Sequence, residues 1–295
     1  MRRKKRLMLS VFIIILAVIS VGLRFLPNAE ADSIWGLDFG QNQPNERLRV
    51  QQNIVLDNET AADGWKIAWR EPLRCRNGEI QEIPRERLKL SVHNDAIPIT
   101  DDAVIIETPK SSKRAQFLFV LELDPSDRPG HYEGVLVFTP RQGSMSSAKW
   151  GDPIQLRVLV QVEPWLKAEI NSTTVELDNI PRSDPKRLYS SVPVTFKIAT
   201  NDRWNFLIKI VPDDESVQGL SLDVKVDGST KYLSSVSSQI NPGDKWSKVI
   251  AGLPTTIDGF TWAEFSLNFA IPDYRRYKAG RQRFNLSFQV ETVSN

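Results

Sequence analysis

The chain has 295 residues, is 41% hydrophobic and 25% charged, and carries 15 Gly and 18 Pro but one Cys and two His. Those counts exclude a collagen, a disordered tail, a disulfide-stapled miniprotein and a zinc finger. Lys and Arg number 38 against 36 Asp and Glu, a formal charge of +2, so no strong field points to nucleic acid as a partner.

Residues 2–6 read Arg-Arg-Lys-Lys-Arg, and an uncharged apolar run follows from Leu7 to Leu23, ending at Arg24. A basic start and an apolar stretch are the first two parts of an export signal. Pro27 stops the helix, and Ala29-Glu30-Ala31 offers small residues at the spacing signal peptidase needs. Residues 1–31 therefore read as a signal peptide cleaved after Ala31. The run is long for a signal and close to the lower limit for a bilayer span, so the alternative is an uncleaved anchor that touches the membrane only through residues 7–23. Either way the basic end stays in the cytoplasm and everything after residue 31 is exported, extracellular or at the cell surface. This segment holds six basic residues (Arg2, Arg3, Lys4, Lys5, Arg6, Arg24) and one acid, Glu30. Without it the balance turns mildly acidic, so the apparent basicity belongs to the export segment.

From Ile34 onward no long stretch has helical spacing, whereas period-two alternation recurs in short runs separated by Pro, Gly, Asn and Asp. Examples are Phe117, Phe119, Leu121 and Leu123; Ile154, Leu156, Val158, Val160 and Val162; Leu222, Val224 and Val226; and Phe265, Leu267, Phe269 and Ile271. Such strands are half buried, and two stacked antiparallel sheets bury them most simply, which predicts an all-β, sandwich-type fold.

The runs also repeat in order. Val50 to Leu56 leads through a polar loop to Trp65, Ile67 and Trp69, as Val194 to Ile198 leads through Asn201-Asp202 to Trp204, Phe206 and Ile208. Leu88, Leu90 and Val92 then match Leu222, Val224 and Val226, Phe117 to Leu123 match Phe265 to Ile271, and Gly130 matches Gly280 ahead of the last shared strand. Five landmarks in one order at nearly one spacing predict two tandem domains, 32–163 and 164–295, each large enough to fold without disulfides. They meet at Val162-Glu163-Pro164-Trp165, where Pro164 blocks continued ladder pairing and no flexible linker intervenes. Trp165 either packs between the domains or belongs to the core of the second.

A Trp opening a strand after a turn rich in Asn and Asp, the segment Ile83-Pro84-Arg85-Glu86-Arg87-Leu88, and a last hairpin introduced by Pro129-Gly130-His131-Tyr132-Glu133-Gly134 resemble secreted bacterial immunoglobulin-like β-sandwich modules of Gram-positive surface proteins, of the pilin-like or WxL-associated type. The resemblance implies two immunoglobulin-like sandwiches and a structural or binding role in the cell envelope. The first domain carries all three elements; the second keeps Trp204 and Gly280 but has Gln282 where Tyr132 would fall. On its own terms, Gly130 permits the tight turn, and a Tyr entering the next strand can return its hydroxyl to upstream backbone, as in a tyrosine corner. Trp65 and Trp204 read as core anchors, since alternation places them with Ile67 and Phe206.

Catalytic chemistry finds little support. Nucleophilic triads need an oriented His, and of the two present His131 falls inside the Pro129-Gly130 turn and His93 ends a strand before Asn94-Asp95. One Cys and two separated His lack zinc spacing, and no calcium-loop run occurs. The acid pairs Asp101-Asp102, Asp124 with Asp127, and Asp213-Asp214-Glu215 lie in turn-rich stretches, where acids usually make turns. No cofactor or metal is expected, and the chain reads as a non-enzyme. Cys75 is either an unpaired thiol or the site of an intermolecular disulfide.

Binding has more to work with. Trp150, Trp246 and Trp262 lie near loops or strand ends, where exposed aromatics stack on sugars or grip proteins, and Tyr274-Arg275-Arg276-Tyr277 interleaves aromatic with basic side chains. The expectation is a secreted or cell-envelope protein that scaffolds, adheres or assembles with envelope proteins or cell-wall polysaccharide. A pilus-type two-domain chaperone, which needs an exposed edge strand and basic anchors in the interdomain cleft, and a glycan-binding protein are the alternatives.

Overall fold

Side chains alternate between core and solvent along the strands, and that alternation encloses the core. In β8 (Ile154–Val162), for instance, Leu156, Val158, Val160 and Val162 are buried and the residues between them are not. The computed structural model describes residues 35–76, 81–92, 95–178, 188–190, 192–212, 222–240, 245–256, 260–271 and 282–293. The export segment lies outside the described residues. Among the described residues helix is confined to single 3-10 turns, as at Arg85–Arg87, and no helix is long and apolar enough to cross a membrane. The fold is all-β, with two sandwich bodies.

The first body contains β1 (Trp35–Asn42), β2 (Leu48–Cys75), β3 (Leu88–Val92), β4 (Asp95–Pro98), β5 (Val104–Leu123), β6 (Gly130–Gln142), β7 (Lys149–Trp150) and β8. Its strand order is β1-β8-β6-β2-β5-β3-β4, with β7 on β6. The loop expected between Leu56 and Trp65 does not interrupt the strand. β2 runs unbroken for 28 residues because β5 pairs with it from Leu48, opposite Leu123, to Ile67, opposite Val104, across register shifts after Asp57 and Ala62, and β6 carries it on to Cys75. Backbone partners, not side-chain polarity, decide whether a segment stays extended. The near half of β2 pairs only with β5, whose other edge takes β3, while the far half gains β6. The ribbon thus joins two layers, and Ile54 and Leu56 share one core with Trp65 and Ile67. One pairing departs from the antiparallel expectation: β1 lies parallel to β8, Trp35 opposite Leu156.

The second body contains β9 (Leu166–Ile170), β10 (Thr174–Asp178), β11 (Leu188–Ser190), β12 (Val194–Thr200), β13 (Trp204–Pro212), β14 (Leu222–Gly228), β15 (Leu233–Val236), β16 (Gln239–Ile240), β17 (Ser247–Gly252), β18 (Ala263–Ile271) and β19 (Gln282–Thr292). One layer runs β9-β12-β18-β14-β16 and the other β10-β19-β13-β17-β15, with β11 bridging β10 and β18. Val194 and Phe196 of β12 face Leu267 and Phe265 of β18, as Val50 and Ile54 of β2 face Leu121 and Phe117 of β5. The strand of Trp204 pairs with β19, as that of Trp65 pairs with β6. Trp65 and Trp204 are fully buried, ringed by Phe117 and Phe138 in one body and by Phe196 and Phe265 in the other. Gly252 lies so close to the Trp204 indole that no Cβ fits between them.

Candidate binding site at the junction of the sandwiches

The join between the bodies is held by side chains from both. β8 ends at Val162 and β9 begins at Leu166. Between them Trp165 is 2% exposed yet belongs to neither hydrophobic core. Its indole Nε1 donates to the Pro125 carbonyl of the first body at 3.1 Å, its backbone N–H donates to Asn201 Oδ1 at 2.9 Å, and its carbonyl accepts from the Thr200 hydroxyl at 2.7 Å. Of the two places open to Trp165, the structure selects the one between the bodies.

The partner surface is the turn Asp124-Pro125-Ser126-Asp127 between β5 and β6. Asp127 closes it, its carboxylate accepting from the backbone N–H of Asp124 at 2.7 Å and from Arg87 at 2.6 Å. Arg87 is delivered there because buried Ile83 and Leu88 flank the 3-10 turn, so Ile83-Pro84-x-x-Arg87-Leu88 serves the junction. Asp124 accepts from the N–H and hydroxyl of Ser126. Burial alone would raise the Asp124 carboxyl; those two hydrogen bonds with Arg87 and Arg47 outweigh it and hold the carboxyl below its ordinary value. Asp127 goes the other way, since burial outweighs the Asp124 N–H and Arg87 and lifts it. Both acids are thus spent on shaping a turn.

Onto this turn the second body places Asn201, fully buried, whose amide donates to the Asp127 carbonyl at 2.8 Å while its own carbonyl accepts from Arg128 at 3.2 Å. The Thr256 hydroxyl donates to the Pro125 carbonyl at 3.0 Å. Buried polar groups that satisfy one another in this way resist separation, because parting the bodies leaves each unpaired.

Beside the junction is a cleft of about 340 Å³ lined by Asn45, Glu46, Arg47, Asp124, Pro125, Lys167 and Phe260. Phe260 is 44% exposed. Trp165 stacks parallel to its ring, centroids 5.7 Å apart, Trp262 meets it edge-on at 5.7 Å, and Lys167 Nζ lies 5.5 Å from its centroid. Arg47 pairs with Asp124 at 3.5 Å.

The residues singled out in the sequence are dispersed. Trp262 joins the cleft through Phe260, whereas Trp150, 43% exposed on β7, and Trp246, 42% exposed before β17, stand elsewhere. Tyr274, Arg275, Arg276, Tyr277 and Gly280, with His93 and Asp213-Asp214-Glu215, lie outside the described residues. His131 is exposed on β6, not within the turn. Tyr132 is buried and donates its hydroxyl to the Arg128 carbonyl at 2.9 Å, and burial pushes that phenol upward. A Cβ on Gly130 would sit 2.5 Å from Cys75 Sγ, so that thiol packs against the turn glycine. Among the described residues no group of three or more His, Cys, Asp and Glu is placed to hold a metal. Asn201, Asp127 and Phe260 were not recognisable as junction residues. The one signal for Phe260 was an aromatic stranded among Asp258, Gly259 and Thr261.

No family model matches this chain, and no curated protein does. Solved structures give distant likenesses. The chaperone–tip adhesion subunit pre-assembly complex of the archaic chaperone–usher Csu pili of Acinetobacter baumannii is 12% identical over 88% of this chain and 98% of that one, with a TM-score of 0.34. CfaE, the adhesive subunit of the CFA/I fimbria of enterotoxigenic Escherichia coli, is 7% identical over 89% and 99%, at 0.33. The C-terminal domain of the Streptococcus agalactiae AgI/II polypeptide BspA is 11% identical over 90% and 94%, at 0.21. Scores this low say nothing about ligand, partner or chemistry.

Proposed function

We propose that the chain is an exported, non-catalytic protein of the cell envelope, built as two tandem domains (32–163 and 164–295), that works as one stiff body and binds envelope proteins or wall polymers. The observation that carries this reading is the junction. Trp165, Thr200, Asn201 and Thr256 are buried and hydrogen-bonded across or along the join, which suits a scaffold that holds binding surfaces at a fixed separation. Of the acid pairs singled out in the sequence, Asp124 and Asp127 are committed to the junction turn. A pilus-type chaperone needs free cations in its interdomain cleft. Of the two cations lining the cleft, Arg47 is paired with Asp124 and Lys167 lies over the Phe260 ring, which favours the scaffold.

The test is fractionation of cells carrying the tagged full chain, followed by cross-linking and affinity capture. Enrichment in envelope or medium with a reproducible partner or polymer is the expected result. A chain that stays in the cytoplasm, or is recovered from the envelope without any partner, would overturn the proposal.

A further inference from the structure

Resting on that reading, we infer that the junction cleft is a saccharide site and that its ligand is an uncharged sugar chain, one ring of which lies on Phe260. The cleft is at the small end of the range for small-molecule sites, ~300–1,000 Å³, and it lies where two bodies meet, a common place for them. Its lining suits hydroxyls. The Glu46 carboxylate accepts from them, Arg47 and Lys167 donate to them, and Asn45 does both. Two cations and two carboxylates share the lining, so a charged ligand of either sign would meet repulsion as well as attraction, whereas a neutral polyol meets no such repulsion.

Phe260 supplies the remaining element. A large aromatic left 44% exposed costs solvation, and here it is braced by the Trp165 stack at 5.7 Å and the Trp262 edge at 5.7 Å. Trp165 is itself pinned by its Nε1 bond to Pro125, so the platform is fixed by the junction before any ligand arrives. Such preorganisation spares the ordering cost of binding. The C–H face of a pyranose covers an aromatic ring while its equatorial hydroxyls reach outward to the charged rim.

The experiment is calorimetric titration of the full chain with chitotetraose, cellotetraose and a galacturonate tetramer. At least one neutral tetramer is expected to bind saturably and more tightly than the anionic one. Phe260→Ala should weaken that binding about tenfold, in keeping with the worth of an aromatic contact. Glu46→Gln and Lys167→Ala, at exposed side chains that do not hold the fold, should each weaken it severalfold, and Trp150→Ala should leave it unchanged. Failure of both neutral tetramers, tighter binding of the galacturonate, or wild-type binding by the Glu46 and Lys167 variants would each overturn the inference. Envelope capture with a protein partner alongside no saccharide binding would sink the saccharide site and leave the scaffold standing.

Discussion

The side-chain amide of Asn201 donates to the backbone carbonyl of Asp127 at 2.8 Å, tying the turn between β12 and β13 of one sandwich to the turn between β5 and β6 of the other. The same side chain accepts the Trp165 N–H at 2.9 Å. One fully buried residue therefore couples the two bodies and the short segment that connects them.

Asn201→Ala removes both bonds, with a longer one to the Glu163 carbonyl at 3.3 Å, and leaves the Trp165 N–H and the Asp127 carbonyl without that partner, at a cost of roughly 2–4 kcal/mol. Because the loss is concentrated at the junction, calorimetry should show a single unfolding transition splitting into two. Asn201→Asp keeps the acceptor but sets a buried carboxylate against the Asp127 and Glu163 carbonyls, and at neutral pH should cost at least as much as Ala.

Gly130 and Cys75 form a second coupled pair. Gly130→Ala would press a Cβ to 2.5 Å from Cys75 Sγ, whereas the Cys75 Cβ lies 4.0 Å away, an ordinary contact. The single variant should lose about 1–3 kcal/mol, as overpacked sites do. Adding Cys75→Ala should restore only the part due to that contact, because Gly130 has φ +156°, where any side chain strains the backbone; the part restored is visible as a favourable coupling energy in a double-mutant cycle of urea midpoints.

At the end of the first body away from the junction, Trp150, Arg141, Gly64 and Glu107 stand directly opposite one another on four neighbouring strands. Arg141 lies across Gly64 to reach the Glu107 carboxylate and is 1% exposed, with Nε and Nη1 lacking hydrogen-bond partners. Glu107→Gln leaves a buried guanidinium without its counter-charge and should destabilise by about 1–3 kcal/mol. Arg141→Met removes the buried charge while the 63% exposed Glu107 side chain keeps its water, so the midpoint should hold or rise.

The junction turn also sets a pH dependence. With its carboxyl lifted by burial, Asp127 holds its proton more tightly in the folded than in the unfolded chain. Its contribution is therefore most favourable in acid, and stability declines as pH rises from the ordinary aspartate range through the raised value. Asp124, held low by Ser126, Arg87 and Arg47 against the effect of burial, adds stability above its ordinary value and loses it as pH falls through the lowered one. Denaturation midpoints from about pH 3 to pH 7 should show Asp127→Asn flattening the mildly acidic decline while the loss in stronger acid persists.

The strands were legible because burial alternates along them, and alternation depends on side-chain type alone. Trp65 with Ile67, and Trp204 with Phe206, sit on buried faces that period two picks out. The junction was not legible for the opposite reason. Asn201 and Asp127 have the composition of any exposed turn, and what distinguishes them is a partner distant in the chain. The continuity of β2 through Asn58-Glu59-Thr60 was hidden too, since it depends on β5 pairing on either side of that stretch, at Asp57 and at Ala62. Arg141 reads as a surface cation until its row with Gly64 and Glu107 is known.

Residual dipolar couplings from the full chain, weakly aligned in solution, test the stiffness of the body formed by residues 34–295 most directly. Couplings from β2, β5 and β6 and from β12, β13 and β18 should fit one alignment tensor. Two tensors of different magnitude would mean that the sandwiches move independently, and would contradict a fixed junction and the braced cleft built upon it.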